Sequence, residues 1–397
     1  MRVAVVGTGI AGNAAAYALA HAPHVTRLDV YEGQPRIGGH SATVDVDYDG
    51  RRIAVDTGFI VYNTLNYPLL TALFDHLGVE TQFSDMSFSV SIGAGEFEWI
   101  GRTKDVFAGL FAQRRNIVNP RYLGMLLEIL RFQKAAQQDL HGGRLAGLTL
   151  GDYIAAGRYS AYFRDRYIVP MGAAIWSTPV ERMLDFPAEN FVAFFENHRL
   201  LHWERPVWRT VTGGSRRYVE KLTAPFRDRI RTGDPVVSVT RDSFAATLTT
   251  AAGITERYDQ VVLACHSDES LSLLKDASAD ERTVLTSVEY RPNKVFLHRD
   301  ITLMPKRKEA WAAWNFLKEK GQEHGDVCVS YSMQHLQGID PACPLFVTLN
   351  PPRPPRSDLI FRTFEYAHPQ FTKAAFAGQQ LLARINGANR VWLAGAW

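Results

Sequence analysis

An α/β chain built on a dinucleotide-binding unit is predicted by three observations in the first 40 residues. An apolar strand, Val3-Ala4-Val5-Val6, runs straight into Gly7-Thr8-Gly9-Ile10-Ala11-Gly12. An alanine-rich helical segment follows, and a second strand ends on an acid, Glu32. A further glycine pair then arrives in Arg36-Ile37-Gly38-Gly39-His40.

Each residue of this segment has a physical task. Gly7 permits the tight turn out of the strand, Gly9 lets the backbone approach a pyrophosphate, and Gly12 lets the helix pack close to the sheet. Ile10 and Ala11 open the helix whose free N–H groups and partial positive charge face the phosphates. Glu32 stands where a carboxylate accepts hydrogen bonds from a ribose diol, and its charge disfavours a 2′-phosphate, so NADP is the least expected dinucleotide. A lone Gly-x-Gly-x-x-Gly is weak evidence; strand, glycines, helix, strand and acid in this order make the reading specific.

At 397 residues the chain exceeds what one core usually supports, and two domains are expected. Lys and Arg number 44 against 41 Asp and Glu, with no block of like charge, so nucleic acid is not an expected partner. There is no apolar run long enough for a transmembrane helix and no leader ahead of the first strand, so a cytoplasmic location is expected. Cys265, Cys328 and Cys343 have no metal-ligand rhythm and read as reduced, mostly buried thiols.

Further along, Ile53-Ala54-Val55 reads as a strand before Asp56-Thr57-Gly58. Asn66 reads as the cap of a helix with Pro68 in its first turn and Gly78 as its stop. Met86, Phe88, Val90 and Ile92 alternate with Ser87, Ser89 and Ser91, the period of a strand with one buried face. Residues 121 to 138 form an amphipathic helix with Leu123, Leu126, Leu127, Leu130 and Ala135 apolar and Arg121, Arg131 and Lys134 outside. Covering the substrate domain is the favoured role for it, and lying on an anionic membrane the alternative. Thr212-Gly213-Gly214-Ser215 opens another helix, and strands follow at Ile230, at Pro235 to Val239, at Asp259 to Ala264 and at Val391 to Ala396; Pro351 to Pro355 is a rigid loop. The expected organisation is a nucleotide-binding domain from residues 1–65, 207–271 and 386–397, and an inserted mixed α+β substrate domain from 66–206 and 272–385.

These segments together resemble the flavin-containing amine oxidase and phytoene desaturase superfamily. The resemblance rests on both glycine motifs, on Asp56-Thr57-Gly58, on Gly213-Gly214, on the strand at Val236 and on Leu393-Ala394-Gly395-Ala396. It implies a glutathione-reductase-like FAD-binding domain, with FAD held by the first motif, Glu32, Arg36, Gly38, Gly39 and His40. Asp56, Thr57 and Gly58 would approach the flavin, Val236 the adenine, and Gly395 the final turn, with His40 near phosphate through its backbone. The family pattern continues past a Gly-Ala-Trp with a glycine-rich turn and a helix; the sequence ends at Trp397, which leaves a shortened sequence and a reduced flavin site as alternatives.

Three phrases look like a bacterial subgroup of NAD/FAD-binding proteins: Asp56-Thr57-Gly58-Phe59-Ile60-Val61-Tyr62-Asn63, Ser84-Asp85-Met86-Ser87-Phe88 and Pro170-Met171-Gly172-Ala173-Ala174-Ile175-Trp176-Ser177. Relatives of that subgroup occur fused to or beside cyclopropane fatty acid synthases, which implies fatty acyl work and a functional association with such a synthase.

Flavin accepts the hydride, so the protein must hold the ring system, exclude water and orient a C–H bond at N5. By the resemblance, Lys294 aligns with the lysine that holds a water near N5; a plain surface or ion-paired lysine carries equal weight. Tyr62, Trp176, Trp311, Trp314, Tyr331 and Tyr366 are candidates for an apolar channel, with core packing the favoured role for any one of them. His198, His202, His266, His298 and His368 show no metal spacing and read as structural. The expected function is an FAD-dependent oxidoreductase that oxidises or desaturates a hydrophobic, lipid-derived substrate. A monoamine or polyamine oxidase is the nearest alternative; a flavin-dependent isomerase and a non-catalytic FAD-binding partner of a lipid-modifying enzyme are the others.

Overall fold

The structure is a computed structural model and describes residues 1–101, 105–321, 326–395 and 397. Its organising element is a five-stranded, wholly parallel sheet in the order Ile230–Thr232, Arg27–Glu32, Arg2–Val6, Gln260–Leu263, Val391–Leu393. The central strand is apolar from Val3 to Val6 because both of its faces are covered. Ala4 and Val6 enter one core with Val261 and Leu263, while Val3 and Val5 enter another with Leu28, Val30 and Phe226. A three-stranded antiparallel sheet, Val236–Arg241, Ala246–Thr250 and Thr255–Tyr258, packs over the first of these cores.

A second large sheet has seven strands in the order Ile360–Gln370, Glu289–His298, Phe346–Leu349, Cys328–Ser332, Trp314–Lys318, Phe88–Ile92, Phe97–Gly101. Only the pair Trp314–Lys318 and Phe88–Ile92 is parallel. The serines between Met86 and Ile92 do not face water as their alternation suggests; Ser87, Ser89 and Ser91 are buried. Each hydroxyl has a partner that offsets its desolvation: Ser89 donates to Asn315 Oδ1 at 2.8 Å and Ser91 to Glu98 Oε1 at 2.9 Å. Glu98, fully buried, is in turn paired with Arg307 at 2.7 Å.

Two packing relations tie segments on either side of the expected boundaries to the nucleotide-binding layer. The helix Pro68–Leu77 buries Phe74 against Tyr218, Val219 and Leu222 of the helix Arg216–Thr223, so the chain stays with the nucleotide-binding layer past residue 66. The helices Ala279–Leu285 and Lys373–Ile385 contribute Val284, Leu285 and Ile385 to the core that contains Ala4 and Leu263. A buried ion pair of Arg241 with Glu281, Nη2 to Oε2 at 2.9 Å, fixes the first of them to the antiparallel sheet. Asn66 does not cap the helix at Pro68; it sits one residue too early and donates to Asn197 O at 2.7 Å, while Gly78 ends the helix in the left-handed conformation as expected.

A helical layer covers the far end of the seven-stranded sheet. Its longest member, Pro120–His141, is capped by the Asn119 side chain, which accepts from the N–H groups of Arg121 and Tyr122. Tyr122, Met125, Phe132 and Ala136 are its buried residues, whereas Leu123, Leu127 and Leu130 are exposed. The inner stripe therefore lies on a different face from Leu123, Leu127 and Leu130, and of the leucines that the sequence singles out Leu126 packs against the core.

Candidate functional site

The carboxyl ends of the parallel strands share one edge of the sheet, where ligands of open α/β sheets bind. Gly7 has φ +101°, and a Cβ there would meet Ala264 O at 2.6 Å. At Gly12 a Cβ would meet Gly7 O at 2.0 Å, so this glycine is required by the fold itself. Gly9 differs: no heavy atom lies within 4 Å of its virtual Cβ, and its bareness opens space instead of preventing a clash. Gly39, at φ +56°, lies against Gly9, since a Cβ on it would stand 3.0 Å from the Gly9 Cα, and this brings the second glycine motif against the first. Ile10 is exposed and Ala11 half-buried at the start of the helix Ile10–Ala20.

Thr8, which the sequence reading passes over, ties these loops together. Its N–H donates to Glu32 at 3.1 Å and its hydroxyl also bonds that carboxylate, while its carbonyl accepts from Gly38 N at 3.0 Å and Asn13 Nδ2 at 2.6 Å. Glu32 also accepts from Gln34 N at 2.8 Å, and its lone-pair sites leave room for a ribose hydroxyl. Beyond it, Gly33 faces Pro235 and Gly233 N donates to Glu32 O at 2.9 Å, which sets the strand beginning at Val236 beside this acid. Arg36 turns inward on its own loop, its guanidinium donating to Gly39 O at 2.6 Å and Ile37 O at 3.0 Å. Gly395 lies past the end of Val391–Leu393, where Trp397 donates its indole N–H to Cys265 O at 3.2 Å.

Asp56 is a structural crosslink, not a group aimed into the cleft. It is buried and accepts from Thr43 Oγ1 at 2.6 Å and from Ser215 N and Oγ at 2.9 and 2.8 Å, which holds the Gly213-Gly214 turn. Burial pushes its carboxyl up to about 6, against the hydrogen bonds from Thr43 and Ser215. Gly58 packs on the backbone of His40, since a Cβ there would meet His40 O at 2.3 Å. Thr57 Oγ1 lies 2.8 Å from the Tyr366 hydroxyl, linking this loop to the seven-stranded sheet.

Above the glycine loops the fold gathers three imidazoles from distant segments. The His40 ring centroid lies 6.4 Å from His266, 6.1 Å from His368 and 5.0 Å from Tyr366. His266 stacks on Tyr290 at 4.2 Å, and His368 Nδ1 lies 3.0 Å from Ser177 Oγ and 3.3 Å from Asn293 Nδ2. Burial, then the neighbouring His368 and His266, push His40 down to about 4; burial also lowers His368. Both rings are uncharged at neutral pH. The expectation that His40 contributes its backbone alone is thus too narrow, and His266 and His368 are not isolated structural histidines. No local signal announces this cluster, because positions 40, 266 and 368 meet only in the tertiary structure. Among the described residues no group of His, Cys, Asp and Glu has the arrangement of a metal site.

Lys294 is not brought to this cluster. It pairs with Glu365 across the antiparallel register, whereas Asn293 pairs with Tyr366 on the opposite face of the sheet. Its side chain is exposed, with Nζ 5.3 Å from the Phe296 ring. Of the aromatic candidates, Tyr366 joins the cluster; Tyr62 is buried on Phe74, and Trp176 packs among Phe186, Phe191 and Phe194. Trp311 donates to Pro305 O at 2.8 Å, and Trp314 lies edge-on to Tyr331 at 4.8 Å.

The residues present fit an adenine dinucleotide at this edge: a bare Gly9, a helix N-terminus behind it, an acid at the ribose position and a second glycine turn closing over the first. The sequence matches the family model for flavin containing amine oxidoreductases over residues 10–321. A sequence search of curated proteins returns no match. Among solved structures, a fatty acid isomerase from P. acnes that produces CLA is similar over 99% of this chain and 93% of its own, with 15% identity and a TM-score of 0.66. A putrescine oxidase bound to putrescine is similar over the same shares, with 14% identity and a TM-score of 0.67. Cyclohexylamine oxidase from Brevibacterium oxydans is similar over 99% of this chain and 92% of its own, with 15% identity and a TM-score of 0.66. These likenesses establish the shared fold, and the match over residues 10–321 establishes the family: the chain belongs to the flavin-containing amine oxidoreductases and is an FAD-dependent oxidoreductase.

Proposed function

We propose that this enzyme oxidises or desaturates a hydrophobic, fatty-acyl substrate. FAD, when bound, supplies the hydride acceptor at N5. Gly9, Gly39 and the start of the helix Ile10–Ala20 would admit its pyrophosphate, Glu32 its ribose and the strand at Val236 its adenine. Thr57 and Gly58 would border the ring system with Tyr366.

The observation that carries the reading is the aromatic character of the cluster above the glycine loops, in which burial holds His40 and His368 neutral. Tyr290 and Tyr366 frame them, and the buried acid Asp56 is already engaged by Thr43 and Ser215. Such a lining suits an acyl chain; its aromatic faces also attract an ammonium group through cation–π contact, so the choice between the two rests on the substrate test. Asn293 and Ser177 orient the His368 ring, which leaves Nε2 as the nitrogen able to exchange a proton. The fatty acid isomerase among the structural neighbours supports this substrate class, and the two amine oxidases support the alternative of an amine. A cytoplasmic enzyme associated with a cyclopropane fatty acid synthase suits an acyl substrate, and co-purification of the pair would test that association.

The test is anaerobic reduction of the FAD-loaded protein followed by visible absorbance. Loss of the band near ~450 nm on adding a long-chain fatty acid or acyl lipid, with no response to putrescine or cyclohexylamine, is the expected result. Bleaching by an amine alone would overturn it. A rearranged acyl product formed without lasting bleaching would redirect the reading to an isomerase, and bound FAD that no substrate reduces would favour a non-catalytic partner.

A further inference from the structure

We propose that the outer face of the helical layer docks on an anionic phospholipid surface. Leu127 is 69% exposed and shares the outer side of the helix Pro120–His141 with the exposed Leu123 and Leu130, while Phe107 and Val118, 70% and 80% exposed, stand on the segments that lead into that helix. Positions 123, 127, 130 and 134 recur at helical spacing, so three leucines and Lys134 form one outward stripe opposite the buried Tyr122, Met125 and Phe132. An exposed apolar stripe of this kind marks an interaction face.

Charge identifies the occupant. Between residues 106 and 134 there are five basic residues and one acid, Glu128. That acid is occupied, accepting from Ser160 N at 2.7 Å and Ser160 Oγ at 2.5 Å. At the start of this helix opens a cavity of about 710 Å³ whose polar lining is Arg115, Arg121, Arg166, Asn116, Asn119, Tyr162 and Glu96. Arg166 lies over the Tyr162 ring at 4.2 Å, and its Nε is buried without a hydrogen-bond partner. Glu96, the acid in this lining, is paired with Lys320 at 2.7 Å. Apolar side chains rimmed by guanidinium groups match a bilayer interface, with phosphates in the cavity and acyl chains against Phe107, Val118 and Leu127. A second copy of the chain is the poorer occupant, because a two-fold contact would set the same arginines against one another. Among the described residues no helix is long and apolar enough to cross a membrane, which makes the contact peripheral.

The inference rests on the fatty-acyl reading only for its purpose, delivery of substrate from the bilayer; the docking itself is independent of what bleaches the flavin. It is tested by co-sedimentation of the FAD-loaded full chain with phosphatidylcholine vesicles, with and without phosphatidylglycerol. Binding is expected only with the anionic lipid and is expected to weaken with salt. The variant F107S/V118S/L127S should reduce the bound fraction at least ~tenfold, and R115Q/R121Q about fivefold per charge removed. Both should keep the flavin spectrum and melting temperature, since the substituted side chains are exposed. Absence of vesicle binding, binding indifferent to both variants, a response to inorganic phosphate in place of vesicles, or a concentration-dependent dimer abolished by F107S/V118S/L127S would each overturn the proposal.

Discussion

The carboxyl edge of the parallel sheet and the outer face of the helical layer are built by opposite rules. At the sheet edge, contacts reach a few residues along the chain or one strand across: Gly12 against Gly7, Gly39 against Gly9, Thr8 against Glu32. On the helix Pro120–His141, apolar residues occupy two faces, and the buried one is chosen by Phe163, Tyr153 and Tyr159 packing on Phe132. The first region carries its instructions in its own motif; the second takes them from its neighbours.

The sharpest way to break this comparison is to make one substitution at two glycines of the same motif. Gly12→Ala places a Cβ 2.0 Å from a carbonyl oxygen of the backbone and should cost about 3 kcal/mol or more, with loss of bound FAD. Gly9→Ala meets nothing and should leave the melting temperature almost unchanged while weakening FAD at least ~tenfold. Denaturant unfolding and flavin titration of both variants separate a fold glycine from a ligand glycine. If both variants unfold alike, Gly9 has no separate ligand role.

Next in size is the same contrast within the long helix. Phe132→Ala should cost about 3–5 kcal/mol, because it empties a site enclosed by three aromatic rings. Leu127→Ala, one face round, should stay within about 0.5 kcal/mol. Equal losses would mean that the outer stripe is buried in solution.

Two buried titrating groups give effects of opposite sign in one pH window. Burial holds His298, between Thr348 Oγ1 and Asp300 N, at about 4, below its ordinary 6.5. The unfolded chain therefore takes up this proton first, and stability falls by up to about 3 kcal/mol as pH drops from 6.5 to 4. Asp56, raised from 3.8 to about 6, acts in reverse: the folded state takes up its proton first, so its contribution to stability is present at low pH and lost as pH rises through 6. Unfolding free energies between pH 4 and 7 should show a shallower acid loss in His298→Gln and a steeper one in Asp56→Asn. Identical pH slopes in the two variants would contradict this assignment.

The smallest expected effect is at Lys294. Lys294→Ala should change stability by less than about 0.5 kcal/mol and leave the rate of flavin reduction unaltered, because the side chain lies on the face away from Tyr366. A large drop in that rate under stopped-flow absorbance would place the lysine at the flavin after all.

How far the sequence could be read follows the same division. The nucleotide-binding strands, the turn at Gly7, the acid at Glu32 and the Gly213-Gly214 turn before the helix Arg216–Thr223 were all legible, since each is enforced within a short segment. Asn66 was misread because a cap residue one position out of register looks the same in sequence as one in register. The serines at 87, 89 and 91 look solvent-facing until Asn315 and Glu98 arrive from other strands to satisfy them.

By itself the sequence determined the dinucleotide grammar, because glycine is the one residue that fits where backbone must touch backbone, and that requirement is written locally; the family and FAD followed from the resemblance that the other motifs carry. Tertiary structure alone decided which face of the long helix is covered, which way Lys294 points, and that His40, His266 and His368 form one cluster. Helical and strand periodicities specify that two faces differ; only the partner packed against one of them decides which is inside.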